Sequence, residues 1–457
     1  MSICGVKFKA YPTKEQAKIL SQWIGCVRVI YNCKVAEDFQ NYKIYKQTSQ
    51  KTKVNQAYSH FKTEEREWLK DCPSQILRNS SSNWYKSKQS FFDGVTRNPR
   101  KKKKGLRDTV LLTKELFSFQ NDVDEKGSVR KKLIIGTKTN SLGVLKFYAH
   151  REFGVPNQIV VGKKNNDWYV SFSYETENKI KTEQELLDEF SCLDEESLKE
   201  ITLGIDRGIA IPFQSSNQLK FDFDEKTKNN LMVKSKRLKL YQKRLSRQKL
   251  KSNSRNKTRY KVARLHQKIS NIRHDFCHKV SHSLAKSEAK VFAVEDLKLK
   301  NMTKTPKPIQ DEKGKYLPNK KLAKAGLNRA LLAKGLAKTI LFLEYKALKH
   351  GKVVVKVPPH YSSQECALCG HTQPENRKSQ AEFLCLLCEN HDNADINAAK
   401  VIAKRGVQFL LSKPKAKTRT RLGISRSKAG RGVRKTKLEL SNPQIPMTPE
   451  VRSFRDE

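Results

Sequence analysis

No apolar run in this 457-residue chain approaches the length needed to cross a bilayer, and the opening MSICGVKFKAYP has no apolar stretch of the secretory-leader kind. The sequence therefore reads as soluble and cytoplasmic, without a signal peptide, and its thiols are expected to stay reduced. Acidic residues are scarce as well: 46 Asp and Glu face 93 Lys and Arg, a formal net charge of +47. A compact chain under that self-repulsion requires a polyanion or high salt, and nucleic acid is the natural partner. An anionic membrane is the competitor, but the charge is spread along the chain and not gathered in one amphipathic helix. Neither a membrane nor a small-molecule substrate is expected. Cysteine is sparse at ten residues, of which Cys4, Cys26, Cys33, Cys72, Cys192 and Cys277 stand singly and read as small core residues. Hydrophobic residues make up 37%, low but not a disordered composition, and the length allows roughly three domains.

What is present comes in a clear order. GVKFKAYP alternates and meets a proline, so it reads as a short strand; Thr13 is an N-cap candidate for a helix carrying Leu20, Trp23, Val27 and Ile30 at helical spacing. Trp23, Tyr31, Trp84 and Phe91 read as core residues more readily than as base-stacking platforms. Helical sequence runs to the basic knot RNPRKKKKG, and strands follow over about 108–176, with Lys164 to Asp167 as a hairpin turn. The acidic stretch TEQELLDEFSCLDEESLKE reads as a linker or short surface helix. Residues 226–274 hold eighteen Lys or Arg and no acid, with Leu231, Leu238 and Leu245 seven apart, which predicts a basic helical hairpin with a narrow apolar seam. VFAVEDL and GKVVVKVPP are further strands, around a helix predicted over 327–349. From Lys404 to Lys437 the chain is again basic and acid-free, and a tail over 413–457 is expected to be disordered.

Two groups of residues carry chemistry. Cys366-x2-Cys369 and Cys385-x2-Cys388, fifteen residues apart, have the spacing of a tetrahedral structural zinc site, with Gly370 placed for the tight turn after the first pair. Such a site is closed and leaves no position for substrate; His371 and His391 read as surface residues beside it. The second group is acidic. Asp206 ends LGID, Glu295 ends VFAVE, and Asp395 opens a helix. Singly each is a turn or cap residue. Together they offer the oxygen donors that a pair of Mg2+ ions needs, and two such ions about 4 Å apart can hydrolyse a phosphodiester.

LGIDRGIA, FAVEDL, SSQECALCG and DNADINAAKVIAKRG, in that order, closely resemble the TnpB (OrfB) family of transposon-encoded proteins. YPTKEQ, FGVPNQIVV…DWYVSFSYE and RHDFCHKVSHSLA look like the same family, so the likeness covers most of residues 1–405. The resemblance implies an α+β multidomain, RNA-guided DNA endonuclease related to the miniature type V CRISPR effectors, working in a bacterial or archaeal cytosol with guide RNA and double-stranded DNA as partners. Its RuvC-type, RNase H-like nuclease domain would occupy 201–357 and 390–412, with the basic hairpin at 226–284 and a zinc ribbon at 358–389. A β-barrel-like wedge domain would use 1–10 and 108–182, with a helical recognition lobe inserted at 11–107.

By the same resemblance Asp206, Glu295 and Asp395 are the catalytic acids and the magnesium ligands, with Asp206 bridging both ions. The family motif D-x-N-A-A selects Asp395 over Asp392, which is left to help cap the turn into the helix. Lys101, Lys102, Lys103 and Lys104 would contact phosphates, and Arg273 would lie near the guide RNA. The protein would read backbone shape and a short flanking motif, leaving sequence choice to base pairing. The rivals are a miniature type V CRISPR effector with the same chemistry, a non-catalytic nucleic-acid-binding protein that keeps the ribbon, and a transposase that joins strands.

Overall fold

Thr13 sets the first boundary of the fold. Its side chain accepts from the Gln16 N–H at 3.2 Å, while the Gln16 amide oxygen accepts from the Thr13 N–H at 3.1 Å. This reciprocal cap separates strand β1 (Ser2–Tyr11) from helix α1 (Lys14–Thr48). The computed structural model describes residues 2–50, 54–105, 108–123, 129–137, 140–165, 167–176, 180–379 and 381–413. Apart from Lys413, the expected basic tail lies outside the described residues.

Helix α2 (Ser74–Phe92) follows, and then β2 (Asp108–Thr113), β3 (Phe117–Val123), β4 (Val129–Gly136), β5 (Ser141–Tyr148), β6 (Gln158–Lys164) and β7 (Asp167–Thr176). With β1 they form a seven-stranded antiparallel sheet in the order β2-β6-β7-β1-β5-β4-β3. Alternation along each strand makes one face apolar: Val6 and Phe8, Val110 and Leu112, Val170 and Phe172 are buried, while Lys7 and Lys9 stay exposed on the other face. Leu20, Trp23 and Ile30 of α1 and Ile76 and Leu77 of α2 join that same core. Trp23, Tyr31 and Trp84 are buried, and Phe91 is half-buried.

The second half grows from strands that are apolar on both faces, the signature of a parallel sheet covered on each side. Helices α3 (Glu183–Phe190) and α4 (Glu195–Ile201) lead into β8 (Thr202–Asp206), β9 (Phe213–Ser215) and β10 (Lys220–Phe221). Two long helices, α5 (Glu225–Arg247) and α6 (Asn253–Lys286), then lead to β11 (Val291–Glu295). Short α7 (Leu299–Met302), the hairpin β12 (Ile309–Gln310) and β13 (Tyr316–Leu317), α8 (Lys321–Lys334) and α9 (Leu336–Lys349) precede β14 (Val353–Val357). A small hairpin, β15 (Glu382–Leu384) and β16 (His391–Asn393), leads into α10 (Ala394–Leu411). The sheet order is β10-β9-β8-β11-β14, with β8, β11 and β14 parallel. Phe276, Val280 and Leu284 of α6 and Ile340 and Leu343 of α9 pack on one face against Ile205, Phe292 and Val294. Ile402 and Val407 of α10 pack on the other against Ala293 and Val355, beside Leu186, Phe190 and Leu198.

Three expectations change here. The acidic stretch, expected as a linker or a short surface helix, is helical but not superficial: it folds into α3 and α4, whose Leu186, Leu187, Phe190 and Leu198 are buried against α10 and the sheet. The helix predicted over 327–349 is broken at Gly335, whose φ of +72° ends α8 and starts α9. Cys192 is exposed and is not a core residue, unlike Cys26, Cys72 and Cys277.

Helix α10 can lie this close to β8 because position 204 has no side chain. A Cβ on Gly204 would run into the Ala399 carbonyl oxygen and lie 2.6 Å from the Ala403 nitrogen. Gly204→Ala should therefore lower unfolding free energy by about 1–3 kcal/mol. Gly326→Ala, in a helix with open space around it, should be neutral or stabilising by up to about 1 kcal/mol. Urea unfolding of the two variants checks the contrast.

Candidate metal centres

The four paired cysteines meet in space, their sulfurs all within 4.8 Å of one another. Cys366 and Cys388 sulfurs are 3.7 Å apart, and Cys369 and Cys385 sulfurs 3.6 Å. A tetrahedron with Zn–S bonds of about 2.3 Å has edges of about 3.8 Å, so the spacing suits a thiolate-bound ion. It is far too long for a disulfide, whose sulfurs sit about 2 Å apart. The two knuckles are built alike. The residue after each second cysteine is left-handed, Gly370 at φ +79° and Glu389 at φ 58°, and its N–H donates back to the first cysteine's carbonyl, at 2.9 and 3.0 Å. Burial opposes ionisation of Cys385, but the Cys388 and Leu387 N–H groups aimed at its sulfur outweigh it and hold the thiol below its usual range. His371 and His391 stay out of the cluster and bond Gln373 and Glu382 instead.

The acids come from the ends of neighbouring strands and from one helix start. Val294 and Ile205 are paired in register, so Glu295 and Asp206 leave the parallel pair side by side. Asp395 stands in the first turn of α10, and Asn393 caps that helix by accepting from the Asp395 and Ile396 N–H groups at 3.0 and 3.3 Å. The helix cap is thus Asn393, while Asp392 accepts from the Asn393 N–H at 2.7 Å in the turn before it and pairs with Lys400 at 2.7 Å.

Electrostatics ties the three carboxyls together. Burial, then the charges of Glu295 and Asp395, push Asp206 up to about 7, against the Arg207 N–H and Arg377, which pull it down. Burial also raises Asp395, opposed by Arg377 and Lys220. Glu295 is buried and accepts from the Ser362 hydroxyl at 2.6 Å. The Arg207 guanidinium donates to the Glu295 backbone carbonyl, bracing the two strand ends. Among the described residues, the cysteines are the one group of three or more such side chains drawn into a single cage.

One buried side chain joins the two centres. Asn397, with no exposed surface, donates to the Glu365 carbonyl at 2.8 Å and accepts from the Ala367 N–H at 3.0 Å. It locks the helix that carries Asp395 to the knuckle that carries Cys366. From the ribbon, Arg377 reaches back to Asp395 at 3.7 Å. Sequence reasoning missed Asn397, Ser362 and Arg377. The first was visible two places after Asp395; the other two are loop residues without a local signal.

The basic residues divide. Lys101, Lys103 and Lys104 are exposed in the loop after α2. Lys102 is half-buried, exchanges backbone hydrogen bonds with the Asn32 side chain at 2.7 and 3.1 Å, and lays its ammonium 3.8 Å from the Tyr31 ring centre. Arg273 sits half-buried on α6 with a buried Nε that finds no partner.

A thiolate cage spaced for zinc thus lies beside half-buried, charge-coupled carboxylates at parallel strand ends in an α+β fold. Family models match three regions of the chain. One described as "Probable transposase" matches 171–305, and a "Cas12f1-like, TNB domain" matches 337–402. A "Helix-turn-helix domain" matches 1–47, which here form one strand and part of one long helix. "Putative RNA-guided DNA endonuclease InsQ" of Escherichia coli (strain K12) is 31% identical over 88% of this chain and 91% of its own. A "Putative RNA-guided DNA endonuclease" of Streptomyces pristinaespiralis is 26% identical over 88% and 89%. A solved Cas12f1–sgRNA–target DNA complex overlays 88% of this chain and 98% of the Cas12f1 chain at 13% identity, with a TM-score of 0.49. The chain belongs to the OrfB (TnpB) family.

Two outcomes follow for the centres. Purified protein should carry one zinc per chain by elemental analysis, and Cys366→Ser with Cys388→Ser should lose it and melt at lower temperature. For Asp206 the folded value near 7 lies above its ordinary 3.8, so its contribution to stability is full below pH 3.8 and lost as pH rises to 7. Without added Mg2+, Asp206→Asn should therefore stabilise the fold at pH 8, by about 2–4 kcal/mol, and by much less at pH 5. Chemical unfolding at the two pH values decides it.

Proposed function

We propose that this chain is an RNA-guided DNA endonuclease that holds a guide RNA, finds double-stranded DNA beside a short flanking motif, and hydrolyses its phosphodiester bonds. The observation that carries the reading is the Asp206, Glu295 and Asp395 group, where burial and then the charges of the other two push one acid up to about 7. Three carboxylates so placed suit hard cations entering among them. The names of the full-length relatives support RNA guidance and DNA as the substrate.

In this reading residues 201–357 and 390–412 are a RuvC-type, RNase H-like nuclease domain, with 358–389 as its zinc ribbon. Residues 1–10 and 108–182 form a β-barrel-like wedge, and 11–107 a recognition lobe. Carboxylates at the ends of the parallel strands β8 and β11 support the nuclease assignment. The donor set is all oxygen and not drawn into one cage, which fits a pair of hard Mg2+ ions better than a single soft one. When bound, such ions polarise the phosphodiester and lower the pKa of water. Asp206 lies between Glu295 and Asp395 in charge coupling and would face both ions. Ser362 orients Glu295, Arg207 holds the strand ends, and Asn397 fixes the helix that presents Asp395. Arg377 offsets part of the Asp395 charge and stands where a substrate phosphate would also meet it. The exposed Lys101, Lys103 and Lys104 and the outer side of α5–α6 would contact phosphates, making affinity fall steeply with salt.

The test pairs the protein with RNA transcribed beside its gene and a plasmid library bearing the matched target next to randomised flanks. We expect cleavage that needs Mg2+ and the matching guide, and losses of about a thousandfold or more for Asp206→Ala, Glu295→Ala and Asp395→Ala. Tight RNA binding with no cleavage under any flank would overturn the nuclease reading in favour of a binding protein, and joined strands would replace it with a transposase.

A further inference from the structure

Strand β10 sets one lysine in line with the acids. Asp206 lies opposite Gln214 of β9, and Gln214 lies opposite Lys220 of β10, both in antiparallel register. Residues opposite one another in such pairs turn their side chains to the same face of the sheet. That face is fixed from both sides. A Cβ on Gly204, two places before Asp206, would point into Ala399 and Ala403 of α10, so Asp206 and its row face α10. The alternate residues face the other way, where Ile205, Phe213 and Phe221 pack with Phe276 and Val280 of α6. Lys220 therefore stands on the side from which α10 presents Asp395, and its charge reaches that carboxyl.

The ammonium of Lys220 is uncommitted. The residue is exposed, and among the described residues no hydrogen bond or ion pair holds it. Asp206 is two strand spacings away, about 9–10 Å between backbones, with the buried Gln214 in between. Asp222, two residues on, is taken by Lys228 at 2.9 Å and by Lys334 at 3.6 Å. Arg377, the other cation that acts on Asp395, is placed differently: it meets that carboxylate at 3.7 Å and donates to the Ser379 carbonyl at 3.3 Å.

We propose that Lys220 belongs to the catalytic site, where its ammonium holds a non-bridging oxygen of the phosphate adjacent to the one being cut. The proposal rests on the reading above and adds a residue to it. Electrostatics separates this role from a mere offset of Asp395. Cations bound among the three acids meet the negative charge that Lys220 faces in their absence, and leave an ammonium beside like charge. A phosphate oxygen seated next to Lys220 removes that repulsion, and lysine suits it as a compact point charge on a flexible stem. Because β10 is the edge strand of its sheet, the ammonium stands beside the acids and not among them. That position matches a neighbouring phosphate and not the one the acid-bound ions would hold. The ammonium gives up no proton and forms no covalent bond; it fixes the strand while hydrolysis proceeds next to it.

The experiment follows single-turnover cleavage of guide-matched DNA by the RNA-loaded protein. Lys220→Gln should slow cleavage by about tenfold or more, and Lys220→Arg should recover most of that loss. Affinity for the target with Mg2+ chelated should change by less than about threefold, since one phosphate contact is lost among many. Lys199→Gln, which removes a charge from α4 where Lys199 pairs with Glu195, should cut like the parent. Methylphosphonates placed singly around the cut remove one phosphate charge at a time. At the adjacent position the parent should slow by about tenfold or more and Lys220→Gln by under about twofold, because the contact can be lost only once. A readout free of catalysis is acetylation of lysines followed by mass spectrometry, with Mg2+ chelated: Lys220 should react in the RNA-loaded protein and be protected by target DNA. Cleavage by Lys220→Gln as fast as the parent, Lys220→Arg as slow as Lys220→Gln, or losses that multiply at the adjacent methylphosphonate would overturn the proposal. So would Lys220 acetylated equally with and without target. A parent that cuts while Lys220→Gln cuts as fast keeps the nuclease reading and loses this residue; a parent that never cuts loses both.

Discussion

Three carboxyl groups share one half-buried space, where burial and the charges of Glu295 and Asp395 push Asp206 up to about 7, and several features of the second half of this chain bear on that conflict. Parallel pairing of β8 with β11 delivers Asp206 and Glu295 side by side. Helix α10 packs across the same sheet and delivers Asp395 in its first turn, near the positive end of the helix dipole. Folding alone would not choose this arrangement, because Asp206 must give up charge to tolerate it. Such strain persists where the surrounding structure overdetermines it. Here the means are Gly204, which lets α10 approach, and Asn397, which locks α10 to the first zinc knuckle.

The segment that carries the four cysteines thus has two tasks in one small unit. Its thiolate cage makes a rigid body from residues with little core of their own, since Phe383 and Ala394 are nearly all that packs against the cysteines. That body then serves as the anchor for the third acid and carries Arg377 to its carboxylate. The basic surplus answers a different constraint. Helix α5 buries no residue; Lys228 at its start pairs with Asp222 and Glu225, and the run of lysines and arginines beyond it is the kind of surface a polyanion neutralises.

Much of this was legible in the sequence where a local rule determines the outcome. Thr13 marks a helix start by hydrogen-bonding chemistry alone, and the cysteine spacing defines a cage whatever surrounds it. The acids were visible as strand-end and helix-start residues, but their convergence came from family resemblance, because no local pattern encodes which strand ends are neighbours. The misreadings are equally physical. High acidity hid the four-residue spacing of Leu186 and Phe190 that drives α3 into the core. Gly335 sat within a helical pattern that tolerates glycine, so the break there depended on packing against Cys277. Asp392 and Asn393 are both good caps one residue apart, and only the backbone decides between them. Ser362 and Arg377 take their meaning from the folded ribbon and had no signal to read.

The central claim is that one of three coupled acids stays protonated near neutrality until a cation enters. Calorimetric titration of Mg2+ into the zinc-loaded protein, repeated in buffers of different ionisation enthalpy, counts the protons released. Close to one proton per chain should leave at pH 6, falling towards none at pH 8, and Asp206→Asn should release none at either. Binding without proton release at pH 6, or release that survives Asp206→Asn, would contradict the account.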